Sequence, residues 1–153
     1  MSHPEEKLAE LGLKLPDVAK PVAAYIPAVR TGNLVYTSGQ LPLRDGTLIA
    51  TGKVGDAVSP EVASECAQQC ALNALAAVKS EIGDLANVKR IVKAVAFIAS
   101  TPDFTGQPQV ANGASELFGQ VFGAAGQHAR SAVGVPVLPL DAPVEVELIV
   151  EVG

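Results

Sequence analysis

The last part of the chain alternates most clearly. Val144, Val146, Leu148, Val150 and Val152 take every second place, with Glu145, Glu147, Ile149 and Glu151 between them. A period of two predicts a strand whose valine row faces a core and whose acidic row faces away. Val88–Ala99 predicts a second long strand. Its first half alternates, but from Ala94 to Ala99 both rows are apolar. A strand buried on both faces needs cover on both. Two helices cover only one face of a small sheet, so a second subunit is the simplest cover for the other.

Between these strands the spacing becomes helical. Ser59-Pro60-Glu61 supplies a cap, a first-turn proline and an acid at the positive end of the helix dipole. Ala63, Cys66, Ala67, Cys70, Ala71, Ala74 and Val78 then recur at intervals of three and four, up to a stop at Gly83. A second helix is predicted over 108–122, although Asn112-Gly113 disfavours a helix interior. Extended runs at Val22–Val29 and Leu34–Ser38 meet at a turn, Arg30-Thr31-Gly32-Asn33. Arg44-Asp45-Gly46 predicts a second turn, with a short strand at Thr47–Ala50. A strand near Ser131–Val137 precedes the final one. Ser2, Pro4 and the acids after it predict a short helix ending at Gly12, within an N-terminal extension of residues 1–20. The result is an α+β chain of one domain, residues 1–153, with a mixed or antiparallel sheet and its two main helices on one face.

Composition narrows the classes of function. The 153 residues carry a net charge of −5 and include no tryptophan. The basic residues are scattered, so phosphate neutralisation, the main source of nucleic-acid affinity, is poorly supplied. Met1–Glu10 is polar, and no uninterrupted apolar run approaches a membrane span. Cys66 and Cys70, four apart on an apolar stripe, read as core thiols rather than as a disulfide or zinc ligands. A cytoplasmic protein is expected, with neither metal nor cofactor: phosphate-loop, dinucleotide and paired-histidine motifs are all missing.

Few residues remain to carry chemistry. Arg130 follows a glycine-rich stretch, and its planar fork suits a carboxylate. Composition alone favours a surface ion pair for it. Glu145 likewise reads first as a solvated strand residue, and as a polarised base only if the acidic row is covered. Tyr25, Ser38, Asn112 and His128 are the other polar candidates, each with an ordinary structural reading. His3 reads as an idle tail residue.

Taken together, Tyr25, Thr37-Ser38-Gly39-Gln40-Leu41-Pro42, Asn73, Asp103-Phe104, Asn112, Ala129-Arg130-Ser131, Leu138-Pro139 and Val144-Glu145-Val146-Glu147 resemble the Rid family, also called the YjgF or L-PSP endoribonuclease type. The resemblance covers about Val22 to Val152. It implies a chorismate-mutase-like fold and a homotrimer, whose sheets surround a central barrel with clefts between subunits. It also implies hydrolytic deamination of reactive enamine or imine acids, such as 2-aminoacrylate, to 2-keto acids and ammonia, without a cofactor. By position, Arg130 would hold the substrate carboxylate and Glu145 would activate water. Tyr25, Ser38, Asn112, His128 and Ala132 would line the pocket.

The chain departs from the family pattern near the arginine. Ala132 stands where a cysteine is frequent, Gly134 where the best-understood branch has an acid, and His128 where proline is usual. A binding protein for small carboxylates or keto acids is therefore a second expectation. A ribonuclease or translation inhibitor, as some family names suggest, is a third and weaker one.

Overall fold

The computed structural model describes residues 3–18 and 24–153. A short helix, α1 (Pro4–Glu10), comes first. It is followed by β1 (Ala28–Thr31), β2 (Leu34–Thr37), β3 (Leu43–Arg44), β4 (Thr47–Leu48), α2 (Pro60–Ile82), β5 (Val88–Ala99), α3 (Gln107–Phe122), β6 (Ala129–Val135) and β7 (Val144–Val152). Five strands form one mixed sheet in the order β1-β2-β7-β5-β6, and β3 and β4 form a separate hairpin. β5 pairs antiparallel with β7 and parallel with β6. The alternation in β7 appears as strict burial of Val144, Val146, Leu148, Val150 and Val152 beneath the helices.

α2 begins where its cap requires. Ser59 Oγ accepts a hydrogen bond from the Val62 N–H at 3.2 Å, and Gly83 closes the helix at φ 82°. Its alanines leave α3 room to approach. Gly113 is at the contact, where a Cβ would collide with the Ser64 carbonyl oxygen. That close approach explains the helix-breaking Asn112-Gly113 pair, which lies inside α3 and not at its boundary.

Several expected elements are corrected. β1 begins only at Ala28, because Pro27 has no N–H to give the ladder. Tyr25 therefore lies in the irregular segment before β1 rather than in a strand, and Val22 falls outside the described residues. β4 ends at Leu48, α3 starts at Gln107, and β6 runs from Ala129 to Val135. His3 is not idle. Its Nδ1 accepts from the Glu5 N–H at 3.1 Å and caps α1, while Nε2 meets Asp84 Oδ1 at 2.7 Å. The expected cap, Ser2, lies outside the described residues. Leu8 is buried, and Glu5 pairs with Lys79 of α2, so α1 is docked on the body of the fold.

Cys66 and Cys70 are free and buried in the α2 core. Burial pushes the Cys66 thiol up to about 11, with Glu65 adding to the shift. Burial also raises Cys70, whose Sγ donates to the Val144 carbonyl oxygen at 3.6 Å. Thiolate is the reactive form. The native protein is therefore expected to react with a thiol-exchange reagent at neutral pH far more slowly than the unfolded chain. Equal rates would contradict this packing.

Candidate functional site

Arg130 and Glu145 do not meet within one chain. They lie on β6 and β7, the two strands that flank β5. Arg130 is in register with Ala94 of β5, and Glu145 with Phe97. Three residues along β5 and two strand spacings across it separate their Cα atoms by about 14 Å. They also point to opposite faces. Ala94 is in the buried, helix-facing row, and the Arg130 side chain reaches α3 from there. Glu145 alternates with the buried Val144 and Val146 and so takes the other face. Among the described residues neither makes an ion pair, so the surface-salt-bridge reading of Arg130 does not hold.

Around Arg130 the chain builds a polar cluster. Nη1 donates to Asn112 Oδ1 at 2.8 Å and to Ser115 Oγ at 3.2 Å. Ser115 Oγ is 2.9 Å from His128 Nε2, and His128 Nδ1 is 2.6 Å from the Gly126 carbonyl oxygen. The Phe118 ring meets the imidazole edge-on, with 5.4 Å between centroids. Arg130, Asn112, Ser115, Gly126 and His128 line an open cleft of about 400 Å³ with Gly119 and Gln127. Among the described residues only Nη1 of the guanidinium is engaged, which leaves Nε and Nη2 as donors for a ligand. Sequence reasoning named Arg130, Asn112 and His128 but missed Ser115. Its signal was the spacing from Asn112, since residues three apart share a helix face.

Glu145 anchors a second group on the far side of the sheet. Gln40 bridges Val146 through paired backbone hydrogen bonds of 2.8 and 3.0 Å, which brings Ser38 and Gly39 alongside Glu145. A Cβ at Gly39 would stand 2.5 Å from Glu145 Oε2, so any larger residue here would displace the carboxylate. Ser38 Oγ donates to the Ile26 carbonyl oxygen at 2.6 Å and pins the segment that carries the exposed Tyr25. Burial raises the Glu145 carboxyl above the ordinary carboxylate range, and the Glu147 charge raises it further.

The two departures on β6 differ in kind. Ala132 packs against the hydrophobic core rather than offering a polar group. At Gly134 the space is taken, because a Cβ would meet Gln107 Nε2 at 2.8 Å and Ser100 Oγ at 2.9 Å. Gln107 is held there by hydrogen bonds to Ser100 and to the Phe104 carbonyl oxygen.

Polar groups also gather at two other places. A hollow of about 790 Å³ lies between residues 12–17, the β3–β4 hairpin and α2. Its buried amides brace each other: Gln69 Nε2 donates to Asn73 Oδ1, and Asn73 Nδ2 donates to the Leu41 and Leu43 carbonyls. His3, Glu5 and Asp84 lie close enough to share a cation. However, the His3–Asp84 and Glu5–Lys79 pairs already use their polar atoms. No helix among the described residues is long and apolar enough to cross a membrane.

A single α+β unit with two helices on one face of a mixed sheet, and a polar cleft at the edge strand, defines the class. Residues 5–152 match the family described as "YjgF/chorismate mutase-like, putative endoribonuclease", and the chain belongs to it. It is 44% identical over 147 residues to protein TCP17 of Trypanosoma cruzi, covering 95% of this chain and 92% of that one. It is 34% identical over 139 residues to a 2-iminobutanoate/2-iminopropanoate deaminase of Dermatophagoides farinae, covering 90% and 93%. The crystal structure of protein Atu1372 of Agrobacterium tumefaciens, a protein of unknown function, superposes with a TM-score of 0.92. The two are 45% identical, over 98% of this chain and 92% of that one.

Proposed function

We propose that this protein is a cofactor-independent hydrolase of small enamine and imine acids of the 2-aminoacrylate type. It would work at clefts between the subunits of a homotrimer. The observation that carries this reading is the Arg130 guanidinium, anchored through Nη1 with two donor nitrogens left facing an open cleft. The 34% identical relative named as an iminobutanoate/iminopropanoate deaminase supports the substrate class.

The trimer is part of the reading. Val29, Tyr36 and Val133 are exposed on the sheet face away from the helices, beside the partly covered Val95, Phe97 and Ile149. A contiguous apolar face of this kind calls for a partner. The reading requires that association bring the Glu145 group of one subunit to the Arg130 group at the β6 edge of the next. Light scattering at three times the chain mass is the expected result.

The chemistry needs little more. Arg130 binds the substrate carboxylate bidentately and fixes C2 of the iminium form. Glu145 of the partner subunit takes a proton as the water oxygen bonds to C2, giving a carbinolamine. The C–N bond then breaks. Glu145 returns its proton to the amine nitrogen, which leaves as ammonia, and the hydroxyl proton passes to that ammonia, giving ammonium, as the C=O of the 2-keto acid forms. A positioned general base contributes about 10²–10⁴-fold. The test is keto-acid release when the protein is added to a dehydratase that generates 2-aminoacrylate.

Glu145 also sets a pH dependence. Its raised carboxyl stays protonated to a higher pH than an ordinary glutamate, and only the ionised form is a base. The rate is therefore expected to fall with acidification from above the usual carboxylate range. Glu145→Gln should lose this acid limb together with about 10²–10⁴-fold in kcat while still binding pyruvate. An unchanged pH profile in that variant would remove Glu145 from the role.

A second reading, a non-catalytic binder of small carboxylates, is favoured by the apolar Ala132 and the space at Gly134 filled by Gln107. Stabilisation by pyruvate without turnover of any imine would select it. Steep salt dependence of RNA binding would instead revive the ribonuclease reading.

A further inference from the structure

The Ser115–His128 couple behind Arg130 has no part in the reaction just described, yet its geometry is specific. The Gly126 carbonyl oxygen can only accept, so His128 Nδ1 carries a proton in either charge state. In the neutral ring Nε2 is then an acceptor. The hydrogen bonds run in one direction, from Arg130 Nη1 to Ser115 Oγ, from the Ser115 hydroxyl to His128 Nε2, and from Nδ1 to Gly126. The imidazole is held edge-on by Phe118. Gly126 is held too, since a Cβ there would collide with the Phe118 carbonyl oxygen.

Protonation of His128 reverses one link. Nε2–H now donates to Ser115 Oγ, which still accepts from Arg130 with its other lone pair. The hydroxyl hydrogen has lost its acceptor and turns into the cleft. An anion bound at Arg130 gains a new hydroxyl donor and a second nearby cation. The other charged groups nearby do not cancel this. Arg90 of β5 donates to the Gln127 carbonyl oxygen at 3.1 Å and is cationic itself. Glu116, next to Ser115 on α3, is exposed. Glu145 of the partner subunit faces the cleft only under the trimer reading.

We propose that Ser115 and His128 are positioning residues that couple carboxylate capture at Arg130 to proton uptake by His128. The inference rests on the Arg130 reading above, but needs binding only and not turnover. Coupling between sites is reciprocal: if the proton tightens the anion, the anion tightens the proton.

The chain has two histidines, so His3 serves as an internal control in a proton NMR titration. Saturating pyruvate is expected to move the His128 titration to higher pH and leave that of His3 in place. The pyruvate Kd should fall about five-fold or more from pH 8 to pH 5.5, the low end of site-to-site coupling. His128→Gln should bind pyruvate with that part of the pH slope gone, and Ser115→Ala should reduce it. A purely structural role would weaken binding by the same factor at every pH. Bound pyruvate with an unmoved His128 titration, or a full slope in His128→Gln, overturns the proposal. Linkage without imine turnover keeps it and sinks the deaminase reading. No pyruvate binding at any pH overturns both.

Discussion

Replacing Arg130 with alanine is expected to lower kcat/KM for imine hydrolysis by about 10²–10⁴-fold. A charge-assisted hydrogen bond is worth about 1.5–3 kcal/mol, and a side-on carboxylate uses two of them, through Nε and Nη2. The substrate would then lose both its affinity and the orientation of C2 toward water. The fold should survive. Arg130 lies half-buried on the edge strand β6, and the atoms it leaves behind, Asn112 Oδ1 and Ser115 Oγ, line an open cleft where water can replace it. The stability loss should stay near 1 kcal/mol per hydrogen bond removed. Arg130→Lys keeps the charge but loses the planar fork, so it should recover only a small part of the activity. Keto-acid release and thermal melting measured on the same preparations separate the two effects. Full activity in Arg130→Ala would exclude the cleft as the site.

Local patterns foretold the elements but not their relations. The valine row of β7 and the cap, proline and glycine of α2 each encode their own element, so the sequence predicts them residue for residue. β1 was harder because Val22, Ile26 and Val29 read as a run, whereas Pro27 decides where the ladder can begin. The site was half legible. Arg130, Asn112 and His128 stand out by residue type and come together. Ser115 is a lone helix serine whose meaning depends on contacts 13 and 15 residues away.

The geometry of the Arg130–Glu145 pair was not legible at all. On β6 the rows Arg130, Ala132, Gly134 and Ser131, Val133, Val135 differ too little in hydrophobicity to say which one faces the helices. The parallel pairing with β5, fixed by tertiary packing, decides it and turns Arg130 away from Glu145. Two residues that sequence suggests as a pair therefore lie apart, on opposite faces of the sheet, in any one chain.

Mixing the two inactive variants, Arg130→Ala and Glu145→Gln, is expected to restore activity. In the cyclic trimer proposed above, each cleft would take its arginine from one subunit and its glutamate from the next. A homotrimer of either variant lacks one half at every cleft. A mixed trimer, in either ratio, has three junctions. At one of them the intact Arg130 of a Glu145→Gln chain faces the intact Glu145 of an Arg130→Ala chain. Trimers carrying both variants, co-expressed with different tags and purified through each in turn, should therefore show about a third of the wild-type rate. The gain over either parent is large, because each parent is expected to be at least about 10²-fold down. Neither substitution removes Val29, Tyr36 or Val133 of the apolar face proposed as the interface, so the subunits should still associate, and light scattering checks that they do. If a verified mixed trimer is as inactive as its parents, Arg130 and Glu145 do not serve one cleft. The carboxylate-binding reading would then stand without the water-activating glutamate. Recovery cannot arise within single chains, because every chain in the mixture lacks one of the two side chains.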